Sequence, residues 1–292
     1  MNGSAQVRNA PDSLLDRLQY RILKRISPRE PGYMSGDVYK EKIKIKVLLG
    51  DQVFDQLRGK VVIDFGCGEG DDAVALAKNC ASRVIGIDIR EGLLERARAK
   101  AHREGVGKIC QFCTDTYERA DAIVSIDSFE HFSDPFAALM KMCELLRPEG
   151  ALFASFGPTW YHPLGGHLFS VFPWAHLIFS EKALLRWRSD LRSDGATRFT
   201  EVAGGLNQMT IARFEKLVKQ SPFVVESLET VPIRRLRLLH NRVMREFTTS
   251  IVRCKLIKAA HKATCGHALP ALPSSLAIDP GLRPQFHSAR PC

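Results

Sequence analysis

Residues 61–70 read VVIDFGCGEG, with Gly66, Gly68 and Gly70 at alternate positions just where an apolar run gives way to DDAVALAKNC. Glycines at such a switch let the backbone turn tightly and approach a ligand closely. Their G-x-G-x-G spacing differs from the G-x-G-x-x-G of dinucleotide binders. Asp71 and Asp72 then occupy a helix start, where a pyrophosphate would need positive potential, and Asp64 stands two residues before the loop. Three carboxylates so placed repel phosphate and suit a ligand carrying an ammonium or sulfonium. Asp88 in VIGID and Asp115 in CTD end two further apolar runs. The first can accept hydrogen bonds from both hydroxyls of a ribose, and the second can hold a base amino group. Asp127, Glu130 and His131 form D-x-x-E-H, a set suited to proton transfer and, in principle, to divalent metals. His162 and His167 add two more imidazoles. Cys110 and Cys113 resemble a metal pair, but in a strand positions i and i+3 face opposite sides, so they read as structural.

These side chains need a scaffold, and the pattern around them supplies one. VVIDF, RVIGID, CQFCTD, DAIVSID and ALFASF read as buried strands. DDAVALAKNC, REGLLERARAKAHREG and DPFAALMKMCELL read as helices between them, the last with Asp134 as N-cap and Pro135 at its first position. Strands alternating with helices at this spacing imply an α/β fold with a parallel, helix-covered sheet. After Gly157 the alternation stops, and residues 158–206 hold all three tryptophans. An insertion of this length is expected to be functional, an aromatic lid around Trp160, Tyr161, Phe169, Phe172 and Trp174. Thr210 caps a further expected helix, IARFEKLVKQ, and FVVESLE returns to strand. RRLRLLHNRVMREF is expected as one amphipathic helix and TSIVRCKLI as the last strand. At the other end, SLLDRLQYRILKRIS places Leu14, Leu15, Leu18, Ile22 and Ile26 at helical spacing, with Ser13 and Asp16 suited to a capping box. A polar linker and a helix from Asp37 to Leu49 follow.

Composition narrows the class. The 292 residues are 45% hydrophobic and 25% charged, which excludes a disordered, collagenous or coiled-coil chain. No uninterrupted apolar run is long enough for a transmembrane helix, and MNGSAQVRNAPDS lacks the apolar core of a signal peptide. Eight cysteines scattered through globular sequence suggest a reduced, cytoplasmic protein. The net charge of +10 is uneven: residues 231–262 carry nine Lys or Arg against Glu246 alone. Such a segment suits an anionic membrane or, as the weaker alternative, nucleic acid.

Taken together, VIDFGCGEG, the Asp88 and Asp115 positions, SIDSFEHFSDP and LLRPEGALFAS resemble the class I S-adenosylmethionine-dependent methyltransferases, near the branch that includes quinone-biosynthesis enzymes. The resemblance covers residues 58–157 and, more loosely, 205–258. It implies a Rossmann-like sheet of seven strands in the order 3-2-1-4-5-7-6, strand 7 antiparallel, with helices on both faces. It implies S-adenosylmethionine as cofactor, held by Asp64, Gly66, Gly68, Gly70, Asp88, Asp115 and Thr116. The domain layout expected is a helical cap over 1–57, a methyltransferase domain over 58–258 with the lid inserted at 158–206, and a disordered tail from 259. The implied reaction is methyl transfer by in-line displacement at the sulfonium methyl to a small or lipid-like acceptor. RNA methylation through the basic segment and a non-catalytic, cofactor-binding regulator are the alternatives. D-x-x-E-H would lie at the methyl end of the cofactor, with Glu130 and His131 shaping the pocket. His131 is the first candidate for a general base, and His162 or His167 the second. Related enzymes with E-x-x-E-H there use a divalent metal; the shorter Asp127 argues for none. Peripheral contact with an anionic membrane is expected through the face from Arg234 to Arg245.

Overall fold

The computed structural model describes residues 13–27, 43–202 and 204–259. The expected linker, the first residues of the expected second helix and the expected tail beyond residue 259 lie outside the described residues. The first described element is α1 (Leu14–Ile26), closed by the anticipated reciprocal cap: Ser13 Oγ accepts from Asp16 N, and Asp16 accepts from Ser13 N. Two short helices, α2 (Lys44–Leu49) and α3 (Val53–Leu57), lead to the first strand.

The strands are β1 (Val61–Phe65), β2 (Arg83–Ile87), β3 (Cys110–Cys113), β4 (Ala120–Ile126), β5 (Leu146–Phe156), β6 (Phe223–Pro232) and β7 (Thr249–Lys258). They form one seven-stranded sheet in the order β3-β2-β1-β4-β5-β7-β6. β7 runs antiparallel to both its neighbours, and the other pairings are parallel. The anticipated sheet is therefore present in order and direction. α4 (Asp71–Asn79) and α5 (Glu91–Arg103) link the first three strands, and α6 (Pro135–Leu145) links β4 to β5. Asp134 caps α6 by accepting from Phe136 N and Ala137 N. β5 starts earlier than its apolar stretch suggests, at Leu146, because Leu146 pairs with Ala120 before an irregularity restores the register at Ala151. Two apolar layers cover the sheet. One joins Ile45, Leu48 and Leu57 to α4 and α5; the other is built on Phe129, Phe156 and Phe214.

The described residues between 158 and 206 form α7 (Ala175–Ile178), α8 (Glu181–Ser189) and short 3-10 turns. Their buried Phe169, Leu184, Trp187, Phe199 and Leu206 share a separate core with Leu23 of α1. The cap helix and the insertion are thus packed together. α9 (Ile211–Gln220), capped by Thr210, then precedes β6.

The basic connection between β6 and β7 corrects the sequence reading. Instead of one amphipathic helix it forms a 3-10 turn over Arg234–Leu239, a break, and α10 (Arg245–Thr248). Tertiary bonds break the helix: the His240 ring sits between Thr230 Oγ1 at 3.0 Å and Thr248 Oγ1 at 2.8 Å. Glu246 accepts from Ile211 N and Ala212 N at the start of α9. The basic charge is also partly spent internally. Arg245 forks onto Glu215, Arg253 pairs with Glu229, Lys255 with Glu226, and Lys258 donates to the carbonyls of Cys143 and Leu146. Arg234, Arg235, Arg237 and Arg242 remain exposed.

Candidate active site

The glycine loop leaves β1 with φ of +86°, +52° and +78° at Gly66, Gly68 and Gly70. A Cβ on Gly66 would lie 2.5 Å from Ser128 Oγ, whereas one on Gly68 would meet nothing within 4 Å. Gly66 is therefore required by packing against the loop after β4, and Gly68 leaves open space above the backbone. The loop is tied to β2 by Gly66 N and Cys67 N donating to Ile87 O, and by Gly68 N donating to Asp88 Oδ2 at 3.0 Å.

Beneath the loop lies a concentration of acid. Asp64 is buried, its Oδ2 has no hydrogen-bond partner, and burial together with neighbouring Asp72 holds its carboxyl well above the usual range. Asp72 is pushed up to about 6 by burial and by Asp127 and Asp71, against the opposing pull of Lys44. Asp71 turns outward to Lys100. Asp127, at φ +48°, closes the group from the end of β4. Lys44 of α2, which the sequence did not single out, reaches this centre: its Nζ lies 2.8 Å from Asp127 Oδ2 and 4.0 Å from Asp72 Oδ2. Nothing local marks it, because the contact spans from the N-terminal helices to the ends of β1 and β4.

Asp88 follows β2 and is buried. Burial would raise its carboxyl, but bonds from Arg90 N, Nε and Nη2 and from Gly68 N hold it below the usual range. Beside it Ile89, two residues past the C-terminal end of β2, is 87% exposed, an apolar side chain that sequence reasoning passed over. Asp115 lies two residues beyond β3, accepts from Thr116 N and pairs with Lys141 of α6 at 2.9 Å; Thr116 is buried.

On the other side of the loop, Glu130 is buried with its Oε1 accepting from Gly157 N at 3.3 Å and its Oε2 unpartnered. Burial, then Asp127, pushes it up to about 8, so it carries a proton at neutral pH. His131 Nδ1 lies 2.8 Å from Gly205 O. A carbonyl only accepts, so Nδ1 carries the hydrogen and the neutral ring keeps its lone pair on Nε2. The His167 ring lies 5.3 Å from that of His131, and burial followed by His131 lowers it to about 3. His162 Nδ1 accepts from Leu164 N, which places the hydrogen of the neutral ring on Nε2; burial lowers it to about 4. His131 and His167 are brought together, while His162 belongs to the turn that shapes the insertion. Asn207, also missed by sequence reasoning, donates from its side-chain amide to Phe129 O and Phe132 O and from its backbone N to Glu130 O. It clamps the turn bearing Glu130 and His131. Among the described residues no group of three or more His, Cys, Asp or Glu is arranged to hold a metal ion.

Residues 62–150 match the family described as "Methyltransferase domain". The chain is 36% identical over 106 residues to a ubiquinone biosynthesis O-methyltransferase of Neisseria meningitidis serogroup C, an alignment covering 34% of this chain and 44% of that protein. It is 36% identical over 104 residues to the protein of the same name from Coxiella burnetii, again 34% of this chain and 44% of that one. The chain thus spans less than half the length of these curated relatives. A solved magnesium protoporphyrin IX methyltransferase from Synechocystis with bound S-adenosylhomocysteine aligns over 84% of this chain and 96% of its own, at 16% identity and a TM-score of 0.47. The family match over residues 62–150, the glycine loop and the seven-stranded sheet order are together those of a Rossmann-like methyltransferase domain of the S-adenosylmethionine-dependent class. The cofactor of this class fits the residues present. Gly68 leaves room for it, and the unpartnered Asp64 Oδ2 and the acid around it suit a cationic ligand.

Proposed function

We propose that the protein transfers the methyl group of S-adenosylmethionine to a small or lipid-like acceptor, of the kind a quinone precursor represents. The observation that carries this reading is the convergence of Asp64, Asp72 and Asp127 on Lys44 beside the open Gly68: acid in excess of the lysine's charge, its Asp64 and Asp72 carboxyls raised by burial and mutual repulsion, which an ammonium or a sulfonium would relieve. The bound cofactor supplies an electrophilic methyl group; the chain aligns and excludes water. Asp88 holds the ribose hydroxyls, with Arg90 fixing its carboxylate, and Ile89 with Asp115 and Thr116 borders the base. His131, through Nε2, takes the proton of an acceptor hydroxyl, and neutral Glu130 donates a hydrogen bond or lines the pocket. His167, lowered to about 3, stays uncharged beside it and favours an apolar acceptor.

Two further elements belong to this reading. Six free cysteines among the described residues support a reducing, cytoplasmic setting. Exposed Arg234, Arg235, Arg237 and Arg242 beside exposed Leu238, Leu239 and Val243 support peripheral contact with an anionic membrane, by a turn in place of the helix first expected.

Calorimetry with S-adenosylhomocysteine tests the cofactor site. Asp88→Ala should weaken binding about 10- to 150-fold, the worth of a hydrogen bond to a charged group. Unchanged affinity would refute the assignment. Turnover of quinone-like phenols, tested with His131→Ala, then addresses the acceptor.

A further inference from the structure

We propose that α1 is a lipid-docking helix that seats the insertion on an anionic bilayer surface. Its apolar residues face the wrong way for a helix that serves only to pack. Leu14, Leu15, Leu18, Ile22 and Ile26 are between 41% and 83% exposed, while Leu23 and Asp16 are buried. At 3.6 residues per turn the five exposed side chains fall within a sector of about 120°, and Leu23, Asp16 and Tyr20 lie opposite.

The borders of this stripe differ. Along one side stand exposed Arg17 and Arg21, with exposed Arg25 between the apolar side chains. On the other side Gln19 joins α1 to the insertion, donating to Ile178 O and accepting from Ser180 N. That junction sets exposed Leu177 and Ile178 beside the stripe. A second copy pairing through this face would set arginines against arginines. Nucleic acid offers phosphate but no apolar layer for five aliphatic side chains. An anionic bilayer surface offers both, with headgroups for the guanidinium groups and acyl chains for the leucines and isoleucines.

The opposite face of α1 fixes what docking would bring along. Leu23 shares its core with Phe169 and Trp187, Trp187 Nε1 donates to Ser27 O, and Tyr20 Oη donates to Asp190. The insertion carrying His162 and His167 would therefore sit at the lipid boundary. Entry of an apolar acceptor directly from the bilayer is a consequence that rests on the methyltransferase reading; the docking surface does not.

Sedimentation of the full chain with phosphatidylcholine vesicles, with and without phosphatidylserine, tests it. The chain should pellet with the anionic vesicles at low salt and be released as salt rises. Leu18→Glu with Ile22→Glu should weaken partitioning by about tenfold or more, and Arg21→Glu with Arg25→Glu should do the same. Unchanged S-adenosylhomocysteine affinity in both variants, measured without vesicles, reports that they fold. If the wild type binds anionic vesicles but no S-adenosylhomocysteine, the docking surface stands and the enzyme reading fails. Wild-type partitioning by both variants, loss of binding only on Arg235→Glu with Arg237→Glu, or salt-sensitive binding to RNA with none to vesicles would each overturn the proposal.

Discussion

At the scale of single residues, the site is governed by protons held on buried acids. Glu130 is raised to about 8 and Asp72 to about 6, so the folded chain binds more protons than the unfolded one between their ordinary values and these. Their contribution is favourable at low pH and is lost as pH rises from about 4 to about 8. The buried histidines act at the other end. His162 at about 4 and His167 at about 3 resist protonation, and stability falls as pH drops below about 6.5 toward those values. Glu130→Gln should therefore flatten the alkaline side of a stability profile from chemical denaturation, by on the order of 3 kcal/mol at pH 8. An unaltered slope between pH 5 and pH 8 would contradict the protonated Glu130. Lys44→Met leaves Asp72 and Asp127 facing each other without their cation. Its cost should be about 1–3 kcal/mol at pH 8, where Asp72 is ionised, and smaller at pH 5. Equal melting shifts at the two pH values would count against it.

At the scale of elements, the turn after β4 that bears Glu130 and His131 is held from outside. Asn207 bridges Phe129 O and Phe132 O at 2.6 and 2.7 Å, and Arg213 donates to Asn207 O. Asn207→Ala would strand two carbonyls near buried Phe129, costing about 1–3 kcal/mol. Because the turn bears Glu130 and His131, turnover should fall further than S-adenosylhomocysteine affinity, which the proposed cofactor site assigns to the loops after β1 and β2. Parallel measurement of kcat and calorimetric affinity separates this positioning role from general destabilisation, which would move both together.

For the molecule as a whole, α1 and the insertion form one packed unit placed against the sheet domain. Leu23 is fully buried at its centre. Leu23→Ala should destabilise the fold by about 2–5 kcal/mol, the range for large cavities in cores. The exposed Leu18, on the opposite side of the same helix, should tolerate alanine with little change. A comparable loss at both positions, read from urea midpoints, would mean that the apolar stripe is buried in solution.

By itself the sequence, through the regular alternation of apolar runs with helices, determined a parallel, helix-covered α/β sheet, and the strand order followed only from the family its motifs resemble. It also placed the Gly66 to Gly70 loop, Asp88 and the Ser13, Asp134 and Thr210 caps, because each of these is a local pattern. What depends on residues far apart along the chain was decided by the tertiary structure. Lys44 enters the acid cluster and Asn207 clamps the Glu130 turn only because the fold brings them there. The stretch from Arg234 to Phe247 has helical periodicity, yet Thr230, Thr248, Glu215 and the start of α9 each claim a side chain from it and divide it. In α1 periodicity marked the apolar stripe correctly, but the direction of that stripe was fixed by the packing of Leu23 and the hydrogen bonds of Gln19 and Asp16 to the insertion. A helical repeat states that a face exists; only the neighbours available in three dimensions decide whether that face is buried.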